Sequence, residues 1–327
     1  MAEQMYGADG VCSIPDCRTG RKKAIFMKKN FILSLERGDL LPTLLMLPAV
    51  LIIFGIMLIP LGYGLILSFC NIGFGSMDFR ENFVGLANYL QFFKDGTAKK
   101  AVVNTLAFSL GATAGDLFLG TLGAVLLLKV TSFVGKILRP VLTIPLLVSP
   151  IIVGLIWRYM YDVKGIIYWF LGIFGIGMNE FSGVTGTSTA LFCTIVAHWW
   201  QVVPFVMIVM TAGLLSVPGE YYEAAYVDGA GEYKSFWAIS FPLLKDVYMV
   251  VLLISGVDTL KVFDIIYSLT AGGPNNSTVS MSIYAYNQAF EQSNLSYAMA
   301  LSFIAMLVTF LVFGVPFVSH NLKKYKE

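Results

Sequence analysis

The chain has 327 residues, 57% of them hydrophobic and 13% charged, with a formal net charge of +2. A soluble domain carries roughly 45–50% apolar and about 25% charged residues, so this composition excludes an ordinary soluble enzyme or binding module. So small a charge gives no footing for nucleic-acid binding, and nucleic acid is not an expected partner.

From Met1 to Phe26 the sequence is polar and has no apolar period. Cys12 and Cys17 could form a redox or metal pair, but they read more simply as thiols of a tail. Met27-Lys28-Lys29 reads as a second start, which would make the first 26 residues dispensable. No signal peptide is read, because the first apolar run begins near Leu40 and is too long for one.

A membrane span needs about 20 mainly apolar residues. Six stretches qualify: about Leu40–Cys70, Ala101–Val130, Ile137–Tyr161, Thr189–Ser216, Ile239–Leu269 and Tyr297–His320. Pro42, Pro48 and Pro60 in the first, and Pro145 and Pro150 in the third, predict kinks. Placing both termini in the cytoplasm puts most Lys and Arg inside, among them Lys129, Lys136, Arg139, Lys234 and Lys245. The outer loops are then Asn71–Lys100, Asp162–Ser188 and Ala271–Ser296. The second holds a short amphipathic stretch, Ile166–Ile176, and the third opens on the turn signal Gly272-Gly273-Pro274-Asn275-Asn276. The division is a cytoplasmic tail over 1–39, a transmembrane domain over 40–322 with a long inner loop at 217–246, and a second tail over 323–327.

Ionisable groups inside spans are costly and usually face a cavity or a partner. Asp116, His198, Asp258, Lys261 and Asp264 are such groups. Ser255, Asp258, Thr259 and Val262 recur at i, i+3, i+4, i+7, as do His198, Gln201, Val202 and Phe205. Two such stripes, mixing polar and aromatic groups, are candidates to line a shared pathway, with Trp199, Trp200, Phe205 and Tyr267 as stacking surfaces. Plainer readings stand beside this one: Lys261 pairs with Asp264, Asp116 bonds a partner subunit, His198 satisfies backbone, and the tryptophans are packing.

The inner loop reads Glu220-Tyr221-Tyr222-Glu223-Ala224-Ala225-Tyr226-Val227-Asp228-Gly229-Ala230-Gly231, then Phe236, Ile239 and Phe241-Pro242. It predicts a short helix, a glycine break and a second helix lying at the membrane face. Tyr222, Ala225 and Tyr226 are expected to face one way, with Glu223 and Asp228 elsewhere. Glu223-Ala224-Ala225, Gly229, Ile239 and Pro242 keep a spacing that resembles the EAA signature of binding-protein-dependent ABC importer permeases. Phe241 replaces the Leu usual before that proline, and Asp246 a proline often found beyond it. Val84-Gly85-Leu86-Ala87-Asn88-Tyr89, Asn104-Thr105, Trp199 with Pro204-Phe205, and Phe263-Asp264-Ile265-Ile266-Tyr267-Ser268-Leu269-Thr270 with Gly272-Gly273-Pro274 extend the likeness over about Leu40 to Leu322. It is nearest the branch that includes maltose and glycerol-phosphate permeases.

The resemblance implies an all-α polytopic fold of six transmembrane helices with a cytoplasmic coupling helix, the type I importer permease fold, in a bacterial inner membrane. It implies a non-catalytic subunit with no cofactor, ATP being bound by partner subunits. The expected partners are a second homologous permease, a cytoplasmic ABC ATPase dimer, an extracytoplasmic solute-binding protein and membrane lipid. Glu223, Ala224, Ala225, Asp228, Gly229 and Ala230 would dock on the ATPase. His198, Gln201, Phe205, Ser255, Asp258 and Thr259 would border the path of a sugar or oligosaccharide moving by alternating access. The alternatives are a permease for glycerol phosphate or another small polar solute, and an ATP-independent secondary transporter. The sequence contains no Gly-x-x-x-x-Gly-Lys-Ser/Thr loop, no Gly-x-Ser-x-Gly elbow and no metal-ligand spacing.

Overall fold

The computed structural model describes residues 41–73, 81–130, 133–175 and 181–318. Both assigned tails, with Cys12, Cys17 and His320, lie outside these residues. Among the described residues the secondary structure is helical apart from one antiparallel bridge, Cys70 with Phe83.

The helices are α1 Leu41–Ser68, α2 Ala87–Lys94, α3 Gly96–Lys129, α4 Phe133–Thr143, α5 Pro150–Met160, α6 Ile166–Ile173 and α7 Ala190–Leu215. They continue as α8 Gly219–Val227, α9 Glu232–Ser235, α10 Phe241–Leu243, α11 Lys245–Leu260, α12 Asp264–Thr270, α13 Met281–Tyr286 and α14 Leu295–Thr309. Single π-helical turns follow α9, α13 and α14.

Among the described residues four helices are long and apolar enough to cross a membrane: Leu45–Ser68, Gly96–Lys129, Ala190–Leu215 and Leu295–Val318. Two further segments pass that test as broken pairs. Ile137–Leu147 and Pro150–Met160 meet at 100°, and Glu232–Leu243 and Lys245–Leu260 at 70°. Counting each bent pair as one span gives six, four whole and two bent. α1 stays helical through Pro48 and Pro60. Pro145 and Pro150 do interrupt the third span, where α4 tightens into a 3-10 turn, Ile144–Leu147, before Pro150 opens α5.

The fifth span differs from expectation. The sequence predicts one helix to Leu269, but α11 ends at Leu260 and α12 restarts at Asp264. Between them Phe263 has φ −134 and ψ −58, outside helical geometry. The third outer loop is also more ordered than expected, since α13 and the turn after it, Asn287–Glu291, are helical.

The core is a three-helix contact. α3 and α7 run parallel, and α11 runs antiparallel to α3. The α3–α7 approach is close because α3 is glycine-lined. A Cβ on Gly115 would sit 2.1 Å from Trp199 Nε1, and one on Gly120 2.5 Å from Val206 Cγ1. Small residues permit such approach where lipid supplies no hydrophobic drive between helices. The space beyond fills with Phe108, Ile195, Tyr297 and Leu301 toward one end and with Val206, Met210, Leu244 and Val251 toward the other.

Polar side chains, among them Asn88, Asn104 and Thr105 of the motifs noted in the sequence, hold the Phe108 end together. Asn88 Nδ2 donates to Ser68 O at 2.8 Å and Cys70 O at 2.7 Å. Asn104 Nδ2 donates to Asn276 O at 3.0 Å and Val279 O at 3.1 Å, and Thr105 Oγ1 accepts from Met281 N at 2.9 Å. Asp95 caps α3, accepting from Thr97 N at 2.9 Å and Ala98 N at 3.1 Å. Its other oxygen accepts from Tyr284 Oη at 2.5 Å and Tyr297 Oη at 2.8 Å. Burial acts to raise the Asp95 pKa, but these four donors outweigh it and hold the carboxyl below its ordinary value. The Tyr284 phenol is pushed up, by burial first and then by Asp95.

Candidate coupling and transport sites

α7 ends at Leu215, and Pro218 sets the entry to α8. No residue of α8 is buried. Its exit is a Schellman turn: Ala230 N donates to Ala225 O at 2.9 Å and Gly229 N to Tyr226 O at 3.0 Å. That turn requires a left-handed residue, and Gly229 supplies it with φ +74. A Cβ there would touch nothing within 4 Å, so the glycine answers to backbone conformation and not to space.

Glu223, Ala224, Asp228 and Gly229 are exposed, and Ala225 and Ala230 half-buried. Tyr222 turns inward, sharing a 2.8 Å hydrogen bond with Ser240. Tyr226 does not join it as expected; it is 83% exposed, beside Val227 at 85%. The two positions are four residues apart, but Tyr226 is in the last turn, where the chain unwinds. Tyr221, Tyr226, Val227, Tyr233 and Trp237 leave aromatic and apolar surface uncovered along this segment. Contiguous apolar surface of this kind marks interaction sites. Lys129, the last residue of α3, pairs with Glu232 and ties the segment to the core helix.

The transport residues divide. Asp116 is fully buried and is not available to another subunit. Its Oδ2 accepts from Ser255 Oγ at 2.5 Å and lies 3.2 Å from His198 Nε2, joining α3, α7 and α11. Ser109 Oγ and Thr113 Oγ1 lie 2.8 and 3.2 Å from Thr259 Oγ1. Gln201 Nε2 donates to Val148 O at 2.7 Å across the break between α4 and α5. Trp199 Nε1 donates to Ala112 O at 3.0 Å. Phe205 is half-buried in the core end that includes Val206. His198, Gln201, Ser255 and Thr259 are thus less than a tenth exposed and have partners within this chain. None of the four borders the cavity beside the α11–α12 break.

Asp258 is the exception. Its side chain is 65% exposed and lies 3.4 Å from Lys261 Nζ. Lys261 therefore pairs with Asp258, not with Asp264 as the sequence suggested. The helical period explains the split: residue 258 is about 100° around the helix from residue 259. Asp258, Lys261, Asp264 and Tyr267 are all exposed around the α11–α12 break. Sequence reasoning missed the rings beside them, Phe263, Tyr286 and Phe290, because two of these belong to a segment read as loop. Among the described residues no group of three or more His, Cys, Asp and Glu is placed to hold a metal.

The comparisons with known proteins agree with this geometry. Residues 116–320 match the family model described as "Binding-protein-dependent transport system inner membrane component". The chain is 36% identical over 206 residues to the trehalose/maltose transport system permease protein MalF of Thermococcus litoralis, spanning 63% of this chain and 69% of the relative. It is 31% identical over 284 residues to the sulfoquinovosyl glycerol transport system permease protein SmoG of Agrobacterium fabrum, spanning 86% and 91%. In structure it resembles a chain of a bacterial ABC transporter involved in the import of the acidic polysaccharide alginate, with a TM-score of 0.76 and 22% identity, over 91% of this chain and 100% of that one. With four whole and two bent spans, an exposed segment between the fourth and fifth, and a family match over more than half its length, the chain belongs to the inner-membrane components of binding-protein-dependent transport systems.

Proposed function

We propose that the chain is the permease subunit of an ATP-driven importer for a sugar or oligosaccharide, working by alternating access. α8 is the element gripped by a cytoplasmic ATPase dimer, a second permease completes the pathway, and a solute-binding protein delivers substrate on the far side. The observation that carries this is the exposed α8, whose Glu223-Ala224-Ala225 runs into a Schellman turn at Gly229. A short amphipathic helix inside one protein would bury a face; this one buries no residue and stands beside exposed Tyr226, Val227, Tyr233 and Trp237.

The relatives support the sugar: their names specify trehalose/maltose, multiple sugars and sulfoquinovosyl glycerol. One solved neighbour was captured with an oligosaccharide-bound periplasmic protein. The charges at the α11–α12 break agree, because Lys261 lies 3.4 Å from Asp258 and its charge is matched there by a carboxylate. Asp258 is the residue we assign to substrate or its gate.

Membrane-impermeant maleimide labelling of Tyr226→Cys tests the topology. Labelling in inverted vesicles and not in intact cells is expected; the reverse pattern refutes the reading. Purification of the tagged chain from its native membrane should bring down an ATPase and a second permease, and absence of the ATPase refutes it too.

A further inference from the structure

Four aromatic rings adjoin the α11–α12 break. Phe263 and Tyr267 stack at 5.0 Å with planes 15° apart. Tyr286 closes on both, at 5.2 Å from Phe263 and 5.4 Å from Tyr267. Phe290 extends the row, 4.9 Å from Tyr286. Rings packed this way normally form a core, yet Phe290 is 63% exposed and Tyr267 40%. Phe263, Tyr286 and Phe290 border a cavity of about 800 Å³ with Lys261 and Ser282 at one side and a mostly apolar wall, including Met299 and Met306 of α14, on the other. That volume lies in the range of roughly 300–1,000 Å³ over which proteins hold small ligands.

A lipid-facing aromatic belt is the ordinary home for exposed tyrosines in a membrane protein. The neighbours argue against it. Lys261 borders the cavity with three of the rings, its partner Asp258 is like it about two-thirds exposed, and Asp264 is exposed at the same break. Charges at such a site face water or protein, not lipid tails. Broken helices likewise occur in spans where they line a cavity. The site therefore has charged groups at one edge and aromatic faces beside them. A pyranose has that same division, with apolar C–H faces and a hydroxyl edge.

We propose that Phe263, Tyr267, Tyr286 and Phe290 form a ledge on which a pyranose ring of the transported sugar stacks, with Asp258 and Lys261 hydrogen-bonding its hydroxyls. This rests on the sugar-permease reading above. It adds where the ring lies, and it makes the ligand a neutral cyclic sugar instead of a linear polyol or phosphate.

The test uses the whole transporter reconstituted in proteoliposomes with its binding protein. Uptake of radiolabelled maltose, trehalose and glycerol 3-phosphate is measured first. Uptake of glycerol 3-phosphate without either sugar overturns the sugar reading and the ledge together. Where a sugar is carried, Tyr267→Phe and Tyr267→Leu are compared with Phe290→Leu. Leucine keeps apolar bulk but has no flat face. The ledge requires Tyr267→Phe to stay within about twofold of wild type in KM, and both leucine variants to raise KM about tenfold. Leucine variants with wild-type KM overturn the ledge and leave the sugar reading standing. So do leucine variants that fail to assemble with the second permease while Tyr267→Phe assembles, because the rings then pack a protein neighbour.

Discussion

Gly229 and Gly231 stand two residues apart in the exposed segment, and substitution by alanine separates them. Gly229 has φ +74 and Gly231 φ −70. Neither has any atom within 4 Å of where a Cβ would stand, so a methyl group collides with nothing at either site. The difference is then purely conformational. At Gly229 an L-residue costs about 1–2 kcal/mol in the left-handed region. At Gly231 alanine is compatible with the native backbone and adds about 0.4–1 kcal/mol by restricting the unfolded chain. A loss of 1–2 kcal/mol shifts the ratio of wound to unwound α8 ends by about 5–30-fold. Gly229→Asn should fall between glycine and alanine, because asparagine tolerates this region better than alanine. The assay is binding-protein-stimulated ATP hydrolysis by the reconstituted complex, with amide exchange at Gly229 and Ala230 as the structural readout. Gly229→Ala should reduce stimulation and speed exchange, and Gly231→Ala should change neither for the worse. Equal behaviour of the two alanine variants would falsify the assignment of Gly229 to the turn, and a Gly229→Asp variant that couples normally would remove the docking role.

Removing the Asp116 carboxylate strands Ser255 and His198; Asp116→Ala should cost about 3–5 kcal/mol, read as a large drop in the melting temperature of the detergent-solubilised protein. Replacing Asp116, His198 and Ser255 together by Leu, Leu and Ala should recover most of that loss, and no recovery would show that the stranded Ser255 and His198 are not its cause. Gly115→Ala drives a methyl group into Trp199 and should destabilise by about 1–3 kcal/mol, with partial rescue by Trp199→Leu in the same melting assay. Asp95 has its folded pKa held below the ordinary 3.8, so its stabilisation is complete above the unfolded value and is lost as pH falls through the lower folded one. Acid titration followed by amide exchange at Thr97 and Ala98 should show that loss below the ordinary carboxylate range, and Tyr284→Phe should move it to higher pH.

Spans and inner loop were legible because lipid imposes a blunt rule: long apolar runs read as helices whatever their neighbours. The breaks were legible only where proline marks them. Pro145 and Pro150 announced the bend between α4 and α5, whereas Lys261-Val262-Phe263 carries no breaker and hydropathy runs on through it. The stripes were right in period but not in facing, because periodicity groups residues without saying which neighbour they meet. Ser255 and Thr259 turned to α3, and Asp258 stayed outside. The Asp116–His198 contact joins residues 82 apart and leaves no local trace. Asn88, Asn104 and Thr105 were noticed as motif residues; that they clamp loop carbonyls and amides needed coordinates.

Asp116 also has a history in time. Ribosomes deliver α3 first, and the groups that satisfy its carboxylate arrive 82 and 139 residues later. An aspartate at mid-helix weighs about 2.5–3.5 kcal/mol against entry into the bilayer. Until α7 and α11 emerge, the two side chains that contact this carboxyl among the described residues are not yet present. Its residence beside the translocon is thereby coupled to synthesis of the second half of the protein, and a chain truncated before Ser255 should leave α3 the span most readily handed to quality-control proteases.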